Sequence, residues 1–386
     1  MSAYSITFVH KASDIPDELW TECFSPAVEG RWWYDAMESS GLEDQFEFSY
    51  ALIYDELCPV GIAPLFVMNV PIELVVPPAW VPLFNLISHV HRAYRYQRTL
   101  FVGSPCADEG MVGLLPGVHR LNALMSLQAA LVVRARQLGA PMLAWKDFPS
   151  AYEGDLRVLA VEAGMFRLES FPGTIVELPG SSHHDYYAAL RARHRSNLRR
   201  KKRRGDTALP VDVEVLYRPD AVVLDRIFAL FWQTYERAVT RFERLNRRLF
   251  DRLASCPQSR FIILRERASG NIISFMLCFL LDGKAINKFI GIDYSLSAES
   301  FLYFRLWDAA VAWAYGEGVH SLQSGQTGYS AKLLLEHRLE PLANWCVHRN
   351  PAVHWVYGQV ARSVSWATLD PDLARHLAAH PKTAGG

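Results

Sequence analysis

The chain has 386 residues, half of them hydrophobic and about a fifth charged, a mixture that excludes a disordered protein and suits two domains of about 150–200 residues. The six cysteines are scattered with no metal-ligand spacing, so no metal site and a reduced cytoplasmic protein are expected. The longest apolar run, Ile272 to Leu281, is far short of the ~20 residues that cross a bilayer, and no membrane span is expected.

Met1 to Ser5 lead straight into the alternating run Ser5–His10, which reads as a first strand with no signal peptide before it. Ala27–Ser40 reads as a short amphipathic helix with Trp32, Trp33, Ala36 and Met37 on its apolar side. Tyr50–Tyr54 and Val60–Met68 form a hairpin about a turn near Asp55–Pro59. Val75–Ile87 has three prolines, many apolar residues and no charge, which excludes a central strand or a regular helix. It is expected to be a loop packed on the body or a lid over a cleft. Arg98–Gly103 is a strand, Arg120–Leu138 a helix stopped by Gly139, and Met142–Lys146 the next strand. Asp155–Ala163 is a short helix, Gly173–Leu178 a strand, and Pro179 to Ser182 break the chain. A domain boundary is expected here, dividing the chain into 1–180 and 181–386.

The rhythm then restarts. Asp185–Arg203 is expected as one helix, Val211–Leu216 as a strand, Pro219–Val239 as a long helix and Arg247–Ser255 as a shorter one. Phe261–Arg267, Asn271–Leu281 and Lys284–Asp293 give three consecutive strands, the last two joined by the hairpin signal Asp282-Gly283. Ser300–Gly316 is an apolar helix, Val319–Ser324 a strand, Ala331–Arg338 helical, Ala343–His348 a strand and Val353–Trp366 a last helix. The order is mixed α/β rather than a doubly wound parallel sheet. The halves read as candidate copies of one fold without evident sequence identity. Residues 1–175 hold 11 basic and 20 acidic residues, leaving 29 and 20 for the remainder. The halves therefore attract one another, and the second half is suited to an anionic partner.

Three segments carry candidate chemistry. Arg191–Arg204 has nine basic residues in fourteen and no acid. It is either a solvated helix face or a surface for the phosphates of a coenzyme, nucleotide or RNA; no DNA-reading motif accompanies it. In Ser324–Lys332 a strand runs into a polar loop bounded by Gly325 and Gly328, with Tyr329 and Lys332 beyond. Such a loop either aims amides and a lysine at an anion or is an ordinary turn. Asp293 and Tyr294 close a strand just before a helix, where a carboxylate or phenol moves a proton or simply caps and packs.

The pattern Tyr187-x-x-Leu190-x-x-x-His194-Arg195-Ser196-Asn197-Leu198-Arg199-Arg200 resembles the basic helix opening the second domain of FemAB-like proteins of the GNAT (Gcn5-related acetyltransferase) superfamily. The loop Gly325–Lys332 followed by Leu339-Glu340-Pro341 is similar to the closing Gly…Lys…Gly-Phe-x-Pro segment of that group. The resemblance covers roughly residues 185–350 and implies two tandem GNAT-like domains. It further implies an N-acyltransferase that moves an acyl group from acyl-CoA, or an aminoacyl group from charged tRNA, to an amine of a small or peptide-like acceptor; a non-catalytic binding module that keeps the same fold is the competing class. No tightly bound cofactor is implied. Lys332 matches the loop lysine of that group at the reacting centre, and Arg195 and Arg199 match its basic-helix positions near phosphates. Asp293, Tyr294 and Tyr329 are expected to join Lys332 in catalysis, and Arg200, Gly325 and Gly328 to help hold the donor. The chain departs in lacking the helical-hairpin insertion of the tRNA-dependent ligases and the Q/R-x-x-G-x-G/A loop of simple GNAT enzymes. Absence of the insertion favours acyl-CoA. On this reading, replacing Arg195, Arg199 and Arg200 by Gln weakens donor binding and flattens its salt dependence, measured by calorimetry at several ionic strengths.

Overall fold

A computed structural model describes residues 4–71, 96–238, 241 and 243–380. The segment Val75–Ile87 lies outside them. Among the described residues the strands form two sheets, one of eight strands and one of seven.

In the first sheet β1 (Ser5–Val9), β2 (Glu47–Asp55), β3 (Cys58–Pro71) and β4 (Tyr96–Val102) pair antiparallel in sequence order. The β2–β3 turn is tight because Asp55 pairs with Cys58 and Glu56 takes a left-handed φ of 53°. The two-residue β5 (Gly113–Leu114) pairs with β3. Helix Arg120–Gln137 then crosses over to β6 (Met142–Pro149), which lies parallel to β4. The helix forms because Ala123, Leu124, Leu127, Leu131 and Ala135 recur on one buried face. His119 accepts the Asn122 N–H at its start, and Gly139, at φ 66°, ends it. Beyond it come β7 (Phe166–Glu169) and β8 (Gly173–Glu177).

The second sheet repeats this plan. β9 (Val211–Leu216), β10 (Ser259–Glu266), β11 (Ile272–Leu280) and β12 (Lys284–Ile292) pair antiparallel in order. Helix Leu302–Gly316 crosses to β13 (Ser321–Gln323), parallel to β12. The next position in each sheet is filled from the other half. β8 lies between β13 and β14 (Arg338–Glu340), while β15 (Leu342–His348) lies between β6 and β7. Consequently β7–β8 and β14–β15 run side by side as one antiparallel ribbon through both sheets. Its register passes from Ile175 opposite Arg338 and Gly173 opposite Glu340 to Glu169 opposite Ala343 and Phe166 opposite Cys346. The ladder breaks at the crossing, where Pro172 and Pro341 have no N–H to offer. The expected boundary at 180/181 thus falls after a strand that already belongs to the second sheet.

The outer face of the first sheet packs on helices Arg120–Gln137 and Glu153–Ala163, and that of the second on Ala192–Ala208 and Leu302–Gly316. Between the inner faces lies one shared apolar core. It joins Trp20, Trp33, Phe46 and Phe66 of the first half to Phe231, Phe250, Phe275 and Phe279 of the second. Trp32 and Trp33 meet Phe279 edge-on, with ring centroids 4.8 and 5.8 Å away.

Some expected elements differ. Asp185–Arg203 is two helices, His183–Ala189 and Ala192–Ala208. Leu190 and Arg191 between them are extended, with ψ of 144° and 141°, because Leu190 turns into the core and the Arg195 guanidinium takes the freed carbonyls of Tyr187, Ala188 and Leu190. Ala331–Arg338 is a short helix, Tyr329–Leu334, followed by β14, whose Arg338 joins the ribbon. The last expected helix ends at Ala361, and helices Trp366–Leu369 and Pro371–Ala379 follow, with Asp370 capping the second.

Each half carries a strand that completes the other's sheet. Residues 1–180 and 181–386 expressed separately are expected to aggregate, and to co-purify as a soluble pair when co-expressed. Two halves that unfold cooperatively and independently in circular dichroism melts contradict this arrangement.

Candidate functional site

β12 and β13 pair only from Lys284 to Ile286 and from Ser321 to Gln323. Beyond that point they part. Asn287–Ile290 on one strand and Ser324–Gln326 on the other line a cavity of about 310 Å³. Cys106–Asp108 and Lys146 enter it from the first half, and Phe231, Tyr235 and Glu243 line it from the second. The site thus sits between the halves, at the carboxyl ends of parallel strands, where open α/β sheets bind ligands.

Lys288 ties the two walls together. Its side chain is 1% exposed, and its Nζ lies 2.6 Å from Glu29 Oε1 and 3.0 Å from Asp108 Oδ1. The Trp33 ring centroid is 4.8 Å from the same atom. Burial alone would lower the Lys288 pKa; Asp108 and Glu29 outweigh it and raise it. Asp108 Oδ2 is buried and meets no protein partner among the described residues. Lys146 is held 2.5 Å from Asp147, and against burial this carboxylate and Glu243 keep its pKa raised. The Cys106 N–H donates to Glu243 Oε1 at 3.0 Å. Burial, with Glu243 beside it, pushes the Cys106 thiol far up, so it is no thiolate nucleophile.

Lys332 lies behind the loop that forms the opposite wall. It is 6% exposed and is not among the residues lining the cavity. Its Nζ donates to the carbonyls of Ser324, Gly325 and Gln326, the last two at 3.2 Å. Burial pushes its pKa down to about 7, opposed by the Asp108 carboxylate. β8 holds the same loop from the other side: Ser324 N–H donates to Thr174 O at 2.8 Å, and Thr174 Oγ1 donates to Gly325 O at 2.9 Å. Gly325, Thr327 and Gly328 all have left-handed φ, at 54°, 64° and 66°, which is why glycines bound the loop.

The other expected site residues are not gathered here. Asp293 is paired with Arg226 at 2.7 Å, and hydrogen bonds from Ser295 and Arg226 overcome burial to lower its pKa. Tyr294 is exposed beneath the Arg237 guanidinium. Tyr329 is fully buried and donates to Pro172 O at 2.8 Å, which anchors the loop to the ribbon. Arg195 caps the preceding helix, Arg199 stacks on Tyr187 at 5.4 Å and Arg200 donates to Asn197 at 3.2 Å. Gly325 lines the cavity; Gly328 starts the helix behind it. Sequence reasoning missed Asp108, Lys146, Glu243 and Lys288. For Lys288 there was a signal: a lysine in the middle of a strand, followed by Phe289 and Ile290, requires carboxylates if it is buried.

Two sheets with the same order, each with a helix crossover between parallel strands that part, define a pair of GNAT folds. Residues 192–332 match the family model described as an acetyltransferase (GNAT) domain. FemX matches at 10% identity over 91% of this chain and 100% of that one, with a TM-score of 0.60. A tandem GNAT protein from the clavulanic acid biosynthesis pathway matches at 12% identity over 90% and 99%, with a TM-score of 0.52. A conserved protein of unknown function from Bacteroides thetaiotaomicron matches at 12% identity over 89% and 100%, with a TM-score of 0.53. No curated protein sequence matches the chain. In fold the chain resembles FemX and the tandem GNAT protein along nearly its whole length, and by sequence residues 192–332 match an acetyltransferase (GNAT) domain.

Removing the Lys288 ammonium leaves two carboxylates buried without a cation. Lys288→Met is expected to destabilise the protein by about 3–5 kcal/mol in urea unfolding, and adding Glu29→Gln and Asp108→Asn recovers part of that loss. A single variant as stable as the parent removes the ion cluster from the account of the interface.

Proposed function

We propose that the protein transfers an acyl group from acyl-CoA to an amine within the cavity between its halves. The observation that carries this is the parting of β12 and β13. It leaves the edge of β12 from Asn287 to Ile290 without a partner strand among the described residues, open to an extended, amide-bearing donor. Helix Leu302–Gly316, which connects these strands, opens without a side-chain cap or an acid in its first turn, so its free N–H groups favour phosphate. The basic helix packs on that opening. Lys201 Nζ lies 3.3 Å from the Phe304 ring centroid, and Arg204 Nη2 lies 2.6 Å from Glu299. This supports a phosphate-bearing donor whose acyl end reaches the cavity.

The acceptor amine is assigned to the Asp108 side. The free Oδ2 attracts an ammonium and accepts its proton, while Phe231 and Tyr235 offer aromatic faces to a cation. The amine nitrogen forms a bond to the thioester carbon, and the carbonyl pair moves to oxygen. The C=O re-forms as the C–S bond breaks, and the thiolate takes the proton that the amine lost. The second reading, an aminoacyl-tRNA donor, is supported by the basic helix, whose Arg193 and Arg203 are exposed. Calorimetry with CoA, acetyl-CoA and tRNA separates the two readings. Asp108→Asn is expected to lower kcat by about 100-fold with donor affinity kept. If neither acetyl-CoA nor tRNA binds the wild-type chain, the acyltransferase reading fails.

A further inference from the structure

We infer that Lys332 is a positioning residue: by gathering the carbonyls of Ser324, Gly325 and Gln326 it turns the Gly325 and Gln326 N–H groups into the cavity as a receptor for the acyl carbonyl oxygen. The inference rests on the acyl-transfer reading but uses different atoms. In a trans peptide the C=O and the following N–H point in opposite directions. The Lys332 ammonium takes the carbonyls of 324, 325 and 326 on one side, so the amides of 325, 326 and 327 face the other. That other side is the cavity, which Ser324, Gly325 and Gln326 line and Lys332 does not. The Thr327 amide is satisfied within the protein by the Tyr329 phenol. Among the described residues no acceptor meets the Gly325 or Gln326 N–H.

Consecutive amides left free at a sign change of φ, from +54° at Gly325 to the negative side at Gln326, make a concave anion receptor. Two features favour a transient oxyanion over a permanent anion. The Asp108 carboxylate is close, 3.5 Å from where a Cβ on Gly325 would stand, and it repels a standing negative charge. When Asp108 takes the amine proton its charge is lost as the carbonyl oxygen acquires one, so repulsion vanishes at the moment the amides are needed. A bulkier residue at 325 also meets this carboxylate as well as the left-handed backbone, which accounts for glycine there.

Two readouts test the inference. Gln326→Pro deletes one N–H, whereas Gln326→Ala deletes only the side chain. With acetyl-CoA and an amine acceptor, the proline variant is expected to show kcat about 100-fold below the alanine variant, at similar donor KM and melting temperature. Lys332→Met is expected to fall similarly in kcat with KM kept; a residue of purely structural importance would not split the two constants. The second readout needs no turnover. In Asp108→Asn protein labelled with 15N-glycine and 15N-glutamine, where the repelling carboxylate is gone, inorganic phosphate is expected to shift the Gly325 and Gln326 amides, and adding Lys332→Met to abolish the shift. Equal kcat for the two Gln326 variants, or unmoved amides in the Asp108→Asn chain, overturns the inference. Phosphate shifts in a chain that binds neither acetyl-CoA nor tRNA support the receptor while removing the acyltransferase reading.

Discussion

The ribbon β7–β8 and β14–β15 is the constraint on which the rest depends. Because it passes through both sheets, neither half is complete without the other, and each wall of the cavity leans on a strand from the opposite half. β8 fixes the 324–326 loop through Thr174, and Pro172 at the crossing receives the Tyr329 phenol. β15 does the same for the facing wall: Asn344 Oδ1 accepts the Asp147 N–H at 2.8 Å, next to Lys146. The site is therefore assembled by β-sheet hydrogen bonding before any ligand arrives.

Two kinds of energy hold the halves around it. The shared aromatic core supplies the non-directional part, since burying Trp33, Phe250, Phe275 and Phe279 removes large apolar surfaces from water. The Lys288–Glu29–Asp108 cluster supplies registry. A buried ion cluster adds little net stability over an apolar one, but any slip between the halves would strand its charges. The proposed chemistry and stability meet at Asp108, which gives one oxygen to Lys288 and keeps the other buried without a partner among the described residues.

Much of the fold was legible in the sequence. The alternating run Ser5–His10 marks a strand, the Asp282-Gly283 turn marks a hairpin, and the apolar face of Arg120–Gln137 marks a helix. The restart at Asp185 exposed the duplication. The strand exchange was not legible: β13 and β14 have three residues each, too few to show a period, and pairing partners more than 140 positions apart leave no local trace. Lys332 was picked out by its loop, but its direction was not, because a lysine at a helix start reads as solvent-facing until buried carbonyls are seen around it. Asp293 and Tyr294 were plausible by position at a strand end; Arg226 and Arg237, which neutralise and cover them, come from a distant helix. Asp108 sits in an irregular loop with no pattern at all, and only Lys288, from the other half, gives it meaning.

The ribbon has one more implication, concerning motion. Domains joined by a single linker open like a jaw. Here two crossing strands, bonded to each other by Ser170 N–H to Leu342 O at 3.1 Å, fasten the sheets together, and the ladder between them is interrupted only around Pro172 and Pro341. The aperture of the cleft is thus constrained by a doubled connection. Ligands of different width would be met by adjustment of side chains and loops at the rim, with the walls themselves behaving as a rigid mould.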